Sequence, residues 1–196
     1  MYAVHSLFRF PYRPGAEGWR HDQSRVGSWI LEEPVHAFDS LMWYLERHGD
    51  PVSVLALGNG RRPEEGMVDN FTALLRFRGG AYAVVTETLA AFGYHHVTEV
   101  VGREGAIRAW WSGTLDRTRQ PAFELKVKRR GTGEAETVIL AASGELFELE
   151  TQLAQAVVAF RARRPLVSGE EARKRVIVCV EAARSLREGR ELPLTF

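Results

Sequence analysis

His36 and the acidic residues near it are the side chains of this sequence whose types and spacing best suit proton transfer. Glu32 and Glu33 directly precede Pro34. Asp39 follows His36 by three residues, which places the two side chains on one side of a helix. A carboxylate beside an imidazole favours the protonated ring, so the pattern fits acid-base chemistry. It fits equally an ordinary helix start with two capping acids, and spacing alone does not separate these alternatives.

The helix that must position these side chains begins at Pro34. Proline suits the first helical position, because its missing N–H is not needed there and its φ is already helical. Gly49 is a stop signal, so the predicted helix runs from Pro34 to Arg47. The predicted core-facing residues are Val35, Phe38, Met42 and Leu45. His36, Asp39 and Trp43 form the row beside them.

Two runs of the sequence carry a family resemblance. The run from Gly27 to Leu45, with Gly18-Trp19-Arg20 before it, resembles the start of the C-terminal domain of the Gfo/Idh/MocA oxidoreductases, such as glucose-fructose oxidoreductase and inositol dehydrogenase. The run from Ser168 to Leu194 resembles the closing helix and tail of the same domain. The two runs bracket nearly the whole chain.

The resemblance implies roles for three residues. In the family this domain binds a sugar, a cyclitol or a similar polyol, and an Asp four residues before the His of an H-x-x-D pattern works with that His and with a Lys of the N-terminal domain. By position His36 matches the catalytic His, Glu32 stands where Asp is usual, and Asp39 matches a substrate-contacting Asp. The family's Lys has no counterpart, since the lysines of this chain are Lys126, Lys128 and Lys174.

Other polar and aromatic residues are candidates for substrate binding. Trp19 and Arg20 stand in a polar loop, where they suit stacking and hydrogen bonding to a polyol, or alternatively an anchoring of the loop to the core. His95 and His96 are adjacent in a predicted strand, so they point to opposite faces and cannot share a metal. By the resemblance His96 is expected to contact substrate, the alternative being a plain sheet residue. A zinc site from His36 and Glu32 lacks the third ligand that a catalytic zinc needs.

Short strands joined by tight turns dominate the middle of the chain. Gly79-Gly80 predicts a hairpin turn with positive φ at both positions. Gly58-Asn59-Gly60 is predicted to be a loop. The predicted strands are residues 2–10, 52–57, 67–77, 81–89, 94–101, 106–111, 123–128 and 137–141. We therefore predict one α+β domain over residues 1–196, with a largely antiparallel open-faced β-sheet and helices packed on one face.

Two further helices follow the predicted sheet. The first begins behind a candidate cap at Ser143 and turns these residues inward: Leu146, Leu149, Leu153, Val157 and Phe160. The last opens with a capping box from Ser168 to Glu171, ends at Gly189 and turns these inward: Ala172, Val176, Cys179, Ala183 and Leu186. The other sheet face shows Tyr82, Val84, Val97 and Trp110 or Trp111. Such an apolar surface predicts a homo-oligomer, a dimer or larger.

Composition narrows the function classes. The 196 residues are 45% hydrophobic and carry a net charge of +1, which gives no reason to expect nucleic acid or membrane as a partner. The lone cysteine, Cys179, excludes an internal disulfide and fits a small buried residue. No stretch approaches the ~20 apolar residues of a membrane span, so the expectation is a soluble, cytoplasmic chain.

The sequence shows no dinucleotide fingerprint. Gly58 and Gly60 begin the pattern, but Pro63 takes the third glycine position. We therefore expect the chain alone to bind no cofactor, while the resemblance implies NAD or NADP for the complete enzyme. The first hypothesis is a substrate-binding and oligomerisation domain, inactive alone, that needs a Rossmann domain from another chain or a longer reading frame. The alternative is a non-catalytic ligand-binding or assembly module.

Overall fold

The strands form one nine-stranded sheet in the computed structural model, which describes residues 1–8, 25, 27–60, 68–91, 93–113 and 118–196. The strand order is β8-β7-β6-β5-β1-β4-β3-β2-β9. Neighbouring strands are antiparallel except for β1 and β4. The strands are β1 Tyr2–Phe8, β2 Pro51–Asn59, β3 Asn70–Phe77, β4 Tyr82–Thr88, β5 Tyr94–Gly102, β6 Gly105–Gly113, β7 Ala122–Arg129, β8 Glu136–Val138 and β9 Leu192–Pro193. The predicted largely antiparallel sheet is confirmed.

Among the described residues, two α-helices lie between β1 and β2 in the sequence, and two lie between β8 and β9. They are α1 Trp29–Glu32, α2 Pro34–Tyr44, α3 Glu145–Arg161 and α4 Gly169–Glu188, with 3₁₀ turns at Glu46–His48 and Arg78–Gly80. α2 contacts β1 and β4, and α4 contacts β2. None of the helices in the described part of the chain has both the length and the apolar character needed to cross a membrane.

The buried core lies between α1, α2, α4 and the strands that they contact. Phe38 of α2 and Trp29 of α1 both meet the Phe71 ring edge-on, at 6.2 and 6.4 Å between centroids. All three rings are buried. Burial of a large aromatic side chain typically stabilises a core by about 3–5 kcal/mol relative to alanine, so this cluster fixes how α2 sits on the sheet. The predicted core row is confirmed in part: Phe38, Met42 and Leu45 are buried, whereas Val35 is half-buried. Ala37 and Leu41 are also buried, and His36, Asp39 and Trp43 are exposed.

The turns and strand ends agree with the sequence in part. Gly79 and Gly80 have φ of 74° and 83°, which confirms the two-glycine hairpin. The loop predicted at Gly58-Asn59-Gly60 is wrong for its first two residues, because β2 extends to Asn59. Asn59 pairs there with Asn70, whose Nδ2 donates to Asn59 Oδ1 at 2.7 Å, and this side-chain bond prolongs the ladder.

The entry to α2 differs from the prediction. Glu32 belongs to the short helix α1 rather than to a turn, and α2 ends at Tyr44 before a 3₁₀ turn. The break between α1 and α2 falls at Glu33, whose N–H still donates to Trp29 O at 3.0 Å. Pro34 has no N–H to continue that hydrogen-bond ladder, and it restricts the backbone of Glu33. These two effects explain why α1 and α2 are separate helices.

The two later helices correct the predicted inward rows. The capping box from Ser168 to Glu171 and the end of α4 at Gly189 are confirmed. The buried row of α4 is Val178, Cys179, Ala182 and Ser185, whereas Val176 and Ala172 are exposed. Ser185 is buried because its Oγ accepts from Ala56 N–H at 2.9 Å and donates to Arg190 O at 2.6 Å. In α3 no residue is buried, and its N-cap is Gly144 rather than Ser143.

Candidate functional site

The start of α2 exposes two of the predicted site residues. His36 is exposed in the first turn, and its N–H donates to Glu33 O at 3.1 Å. Asp39 lies one turn later, also exposed, and its Oδ1 accepts a hydrogen bond from Arg175 Nε at 2.7 Å. Glu32 is half-buried in α1. The three residues therefore lie along one entry segment, where their chemical roles remain predictions.

Arg175 is a residue that sequence reasoning missed. It lies on α4, 136 positions from Asp39, so no local pattern relates the two. Its Nη1 also donates to Glu171 O at 3.3 Å, which fixes the guanidinium from a second side. The Arg175 side chain is only 18% exposed, against 55% for Asp39. Arg175 is therefore the less exposed partner of the ion pair, fixed by two hydrogen bonds, and Asp39 is the solvent-exposed partner.

Two further points concern the candidate loop residues and the lysines of the chain. The loop residues Trp19 and Arg20 lie outside the described residues, so their predicted role in substrate binding stays a prediction. Lys174 pairs with Asp50 at 2.7 Å, and Lys126 pairs with Glu124 at the same distance. These ion pairs fit a structural use of both lysines.

A cavity of about 160 Å³ opens beside His96, the fourth described site residue. His96 stacks on the buried ring of Trp111, with the centroids 5.4 Å apart and the planes 17° from parallel. Tyr94 meets Trp111 edge-on at 5.6 Å. The other lining residues come from the start of α3: Ser143, Gly144, Glu145 and Glu148. The cavity thus combines an aromatic wall with two carboxylates.

Strand register builds the aromatic wall. In the β5–β6 hairpin His96 lies opposite Trp111, and on the other side β1 places Leu7 opposite His96. His5 is two residues along β1 on the same face, with its ring 5.9 Å from that of His96. His5 Nδ1 lies 2.8 Å from Thr98 Oγ1. Three adjacent strands therefore hold one aromatic cluster.

The second wall depends on Gly144. Trp111 Nε1 donates to Ser143 O at 3.2 Å, which fastens the start of α3 to the indole. Gly144 has φ of +115°, and a Cβ there would lie 2.8 Å from Trp111 Nε1, so only glycine fits. Glu148 Oε1 accepts from Gly144 N–H at 2.9 Å and so caps its own helix.

The two histidines of this cluster favour the neutral form. Burial lowers the pKa of His5 to about 4, with a contribution from His96. Burial also lowers the pKa of His96. The Glu148 carboxylate opposes this shift and raises the pKa, whereas His95 lowers it further. A neutral imidazole offers one donor and one acceptor, which suits a hydroxyl group that does both. The carboxylates of Glu145 and Glu148 add hydrogen-bond acceptors to the lining of the cavity.

His95 occupies the opposite side of β5, as predicted for adjacent strand residues. Its ring stacks on Phe8 at 4.5 Å and 12° between planes. Within the described residues no three His, Cys, Asp or Glu side chains form a group that could hold a metal ion. Cys179 is buried, and burial together with the charge of Glu87 raises the pKa of its thiol to about 12.

Solved structures with this fold include several oxidoreductases. The aldose-aldose oxidoreductase from Caulobacter crescentus, complexed with glycerol, is 20% identical with a TM-score of 0.73, over 98% of this chain and 55% of its own. Levoglucosan dehydrogenase, in complex with NADH and levoglucosan, is 19% identical with a TM-score of 0.76, over 98% of this chain and 58% of its own. An oxidoreductase from Agrobacterium radiobacter, in complex with NAD⁺, L-tartaric acid and magnesium, is 16% identical with a TM-score of 0.74, over 98% of this chain and 56% of its own.

At these identities the likeness shows the fold, and the chain spans little more than half the length of each of these structures. A comparison with curated proteins gives no match. The family model of the GFO/IDH/MocA C-terminal domain matches residues 1–108, which is more than half of the 196 residues. The chain therefore belongs to the GFO/IDH/MocA family, as its C-terminal domain.

Proposed function

We propose that this chain is the substrate-binding half of an NAD(P)-dependent oxidoreductase that acts on a sugar, a cyclitol or a similar polyol. The observation that carries the proposal is the cavity beside His96, where the imidazole and the ring of the nearly buried Trp111 on which it stacks line one side and Glu145 and Glu148 line the other. Pockets of this kind pair apolar walls with a few placed polar groups. Glycerol and levoglucosan in the neighbouring structures support this class of substrate. The NADH in one of them supports the proposed cofactor.

In this proposal the entry of α2 supplies the acid-base chemistry. His36 takes the proton of the substrate hydroxyl, and Glu32 stabilises the imidazolium that forms. A bound nicotinamide would accept the hydride from the carbon that bore the hydroxyl, which would thereby become a carbonyl carbon. Asp39, held by Arg175, orients the polyol through a second hydroxyl. Trp19, Arg20 and His96 complete the proposed substrate contacts.

The open face of the sheet is proposed as the oligomer interface. Tyr82 is 42% exposed and Trp110 is 36% exposed, whereas Trp111 is buried. Both exposed aromatics occupy the sheet positions that alternate with the core residues of their strands. An exposed aromatic surface of this kind favours association with a second copy, so we propose a dimer or larger. Helices packed on the other face would leave this side open for the partner.

The alternative function is a non-catalytic ligand-binding or assembly module. Glu32 favours it, because Glu is one methylene longer than the Asp that is usual in the family. The two proposals differ in one observable property. The oxidoreductase proposal requires His36-dependent turnover once a dinucleotide-binding unit is present, whereas the module proposal requires binding without turnover.

Calorimetric titration of the chain with glycerol, levoglucosan and myo-inositol tests the binding half of the proposal. We expect at least one polyol to bind, and the exchange of His96 for Ala to weaken that binding by tenfold or more. His95→Ala is the matched control, because it changes the neighbouring residue on the opposite face and should leave the affinity unchanged. No binding of any of the three polyols into the millimolar range would contradict the proposed substrate class.

A further inference from the structure

Helix α3 carries an apolar stripe that the described part of the molecule leaves uncovered. No residue of α3 is buried. Leu153, Val157 and Phe160 are 59%, 51% and 87% exposed. They repeat at intervals of four and three residues, together with Leu146 and Leu149 in the preceding turns. We call these five residues the α3 stripe.

Such a helix needs a partner to be stable. At 17 residues α3 is little longer than the isolated helices that are marginal in water, and it gains little from packing here. The side opposite the α3 stripe carries the polar Thr151 and Gln155 together with the exposed Val158. Exposed apolar surfaces with a polar border are typical of interaction sites.

The position of α3 identifies what its partner must adjoin. The helix starts at the edge of the cavity, where Glu145 and Glu148 line the opening. The bond from Trp111 to Ser143 fastens that end to the sheet. From there α3 extends about 25 Å at 1.5 Å per residue. A partner that covers the whole α3 stripe therefore reaches the edge of the cavity at the first turn of the helix.

We infer that the α3 stripe is the docking surface of the dinucleotide-binding unit with which this chain works. The inference rests on the proposed function, because hydride transfer requires the nicotinamide within about 3–3.5 Å of the bound polyol. A unit seated on α3 would adjoin the cavity, because Glu145 and Glu148 in the first turn of α3 line it. The neighbouring structures contain further residues that could form such a unit, because this chain covers only 55–58% of their length.

A second copy of this chain is the competing occupant. The sheet face of Tyr82 and Trp110 already offers exposed aromatic rings to a second copy, and it is built from extended strands rather than from one helix. The α3 stripe, in contrast, lies on one helix, whose first turn lines the cavity. The geometry therefore assigns the two surfaces to two different partners.

Site-specific photo-crosslinking in the native cell tests the assignment directly. A benzoylphenylalanine in place of Val157 reports what lies on the α3 stripe, and one in place of Gln155 on the opposite side of the helix is the matched control. We expect the probe at position 157 to crosslink to a peptide of a polypeptide segment with a Gly-rich dinucleotide fingerprint, in the same polypeptide or in another chain. A crosslink to a second copy of this chain, to a protein without that fingerprint, or to nothing would overturn the inference.

A second experiment separates this inference from the proposed function. We expect Leu153→Asp to abolish the crosslink from position 157 to the dinucleotide-binding unit while the calorimetric affinity for the polyol stays within twofold of the wild type. Gln155→Asp introduces the same charge on the polar side and should retain the crosslink. If Leu153→Asp retains the crosslink, the docking surface is wrong although the substrate proposal stands. If the wild-type chain binds no polyol, the substrate proposal fails and the crosslink at position 157 still decides the docking.

Discussion

Arg175 Nε lies 2.7 Å from Asp39 Oδ1, and this ion pair joins the closing helix α4 to the helix that carries His36. The Arg175 guanidinium is also held by Glu171 O, so the position of the Asp39 carboxylate is set from α4 rather than from its own helix. The family resemblance assigns Asp39 to the substrate. If that assignment is correct, Arg175 is a positioning residue, because it acts on the substrate through Asp39.

The ion pair should matter more to ligand binding than to stability. Asp39 is more than half exposed, and ion pairs of this kind contribute roughly 0–1 kcal/mol. We expect Arg175→Met and Asp39→Asn each to change the free energy of unfolding by about 1 kcal/mol or less. Each should weaken polyol binding in calorimetric titrations, and the double variant should be no weaker than Asp39→Asn. Additive losses would show that Arg175 contacts the ligand independently of Asp39.

His36→Ala should leave the fold intact and remove the proposed chemistry. His36 is exposed, so its side chain contributes little packing, and we expect thermal unfolding to report a loss of about 1 kcal/mol or less. Turnover of a polyol by the assembled protein should be abolished. Removal of a buried hydrogen-bonding partner would instead cost roughly 1–3 kcal/mol. A loss of that size would reassign His36 to a structural role.

The sequence predicts the local features of this molecule better than its long-range contacts. The stripe of α2, the two-glycine hairpin and the capping box of α4 each depend on residues close together in the chain. The pairing of His96 with Trp111 is also local, since a two-residue turn at Arg103-Glu104 sets the register of the hairpin. That register could therefore be predicted from the sequence, although the stacking of His96 on Trp111 was not predicted.

Other parts of the site depend on contacts between distant segments. His5 reaches His96 only because β1 inserts between β4 and β5, and one of its two pairings there is parallel. The Arg175–Asp39 pair likewise joins α2 to the last helix. The apolar spacing of α3 gives the right helix but the wrong environment, because periodicity shows which side is apolar and not whether this domain covers it.

Gly144→Ala should open the wall between Trp111 and α3. A Cβ at this position would lie 2.8 Å from Trp111 Nε1, and φ of +115° is unfavourable for any other residue. We expect a loss of about 1–3 kcal/mol in the free energy of unfolding together with weaker polyol binding. Gly133→Ala is the matched control, since a Cβ there would meet no heavy atom within 4 Å beyond its chain neighbours. Equal effects of the two changes in denaturant titrations would contradict this account of the wall.

The half-buried His5 should make stability depend on pH. The pKa of His5 is lowered to about 4 in the folded chain, against about 6.5 when unfolded. Its neutral form is favoured by folding, so the associated stability is present above about pH 6.5 and is lost as pH falls towards 4. A shift of this size corresponds to roughly 3 kcal/mol at most. His5→Gln should flatten this part of the curve measured by urea unfolding, and a pH-independent difference from the wild type would contradict the assignment.

The two apolar surfaces should respond separately to added charge. Tyr82→Arg puts a charge into the open sheet face, so light scattering should show the oligomer replaced by the 22.1 kDa monomer. Phe160→Arg changes a separate apolar surface, the α3 stripe, and should leave the oligomer intact while it abolishes the crosslink from position 157 to the dinucleotide-binding unit. A wild-type chain that is already monomeric at micromolar concentration would remove the case for a sheet interface. If Phe160→Arg instead dissociates the oligomer and Tyr82→Arg does not, the second copy belongs on α3, and both surface assignments must be exchanged.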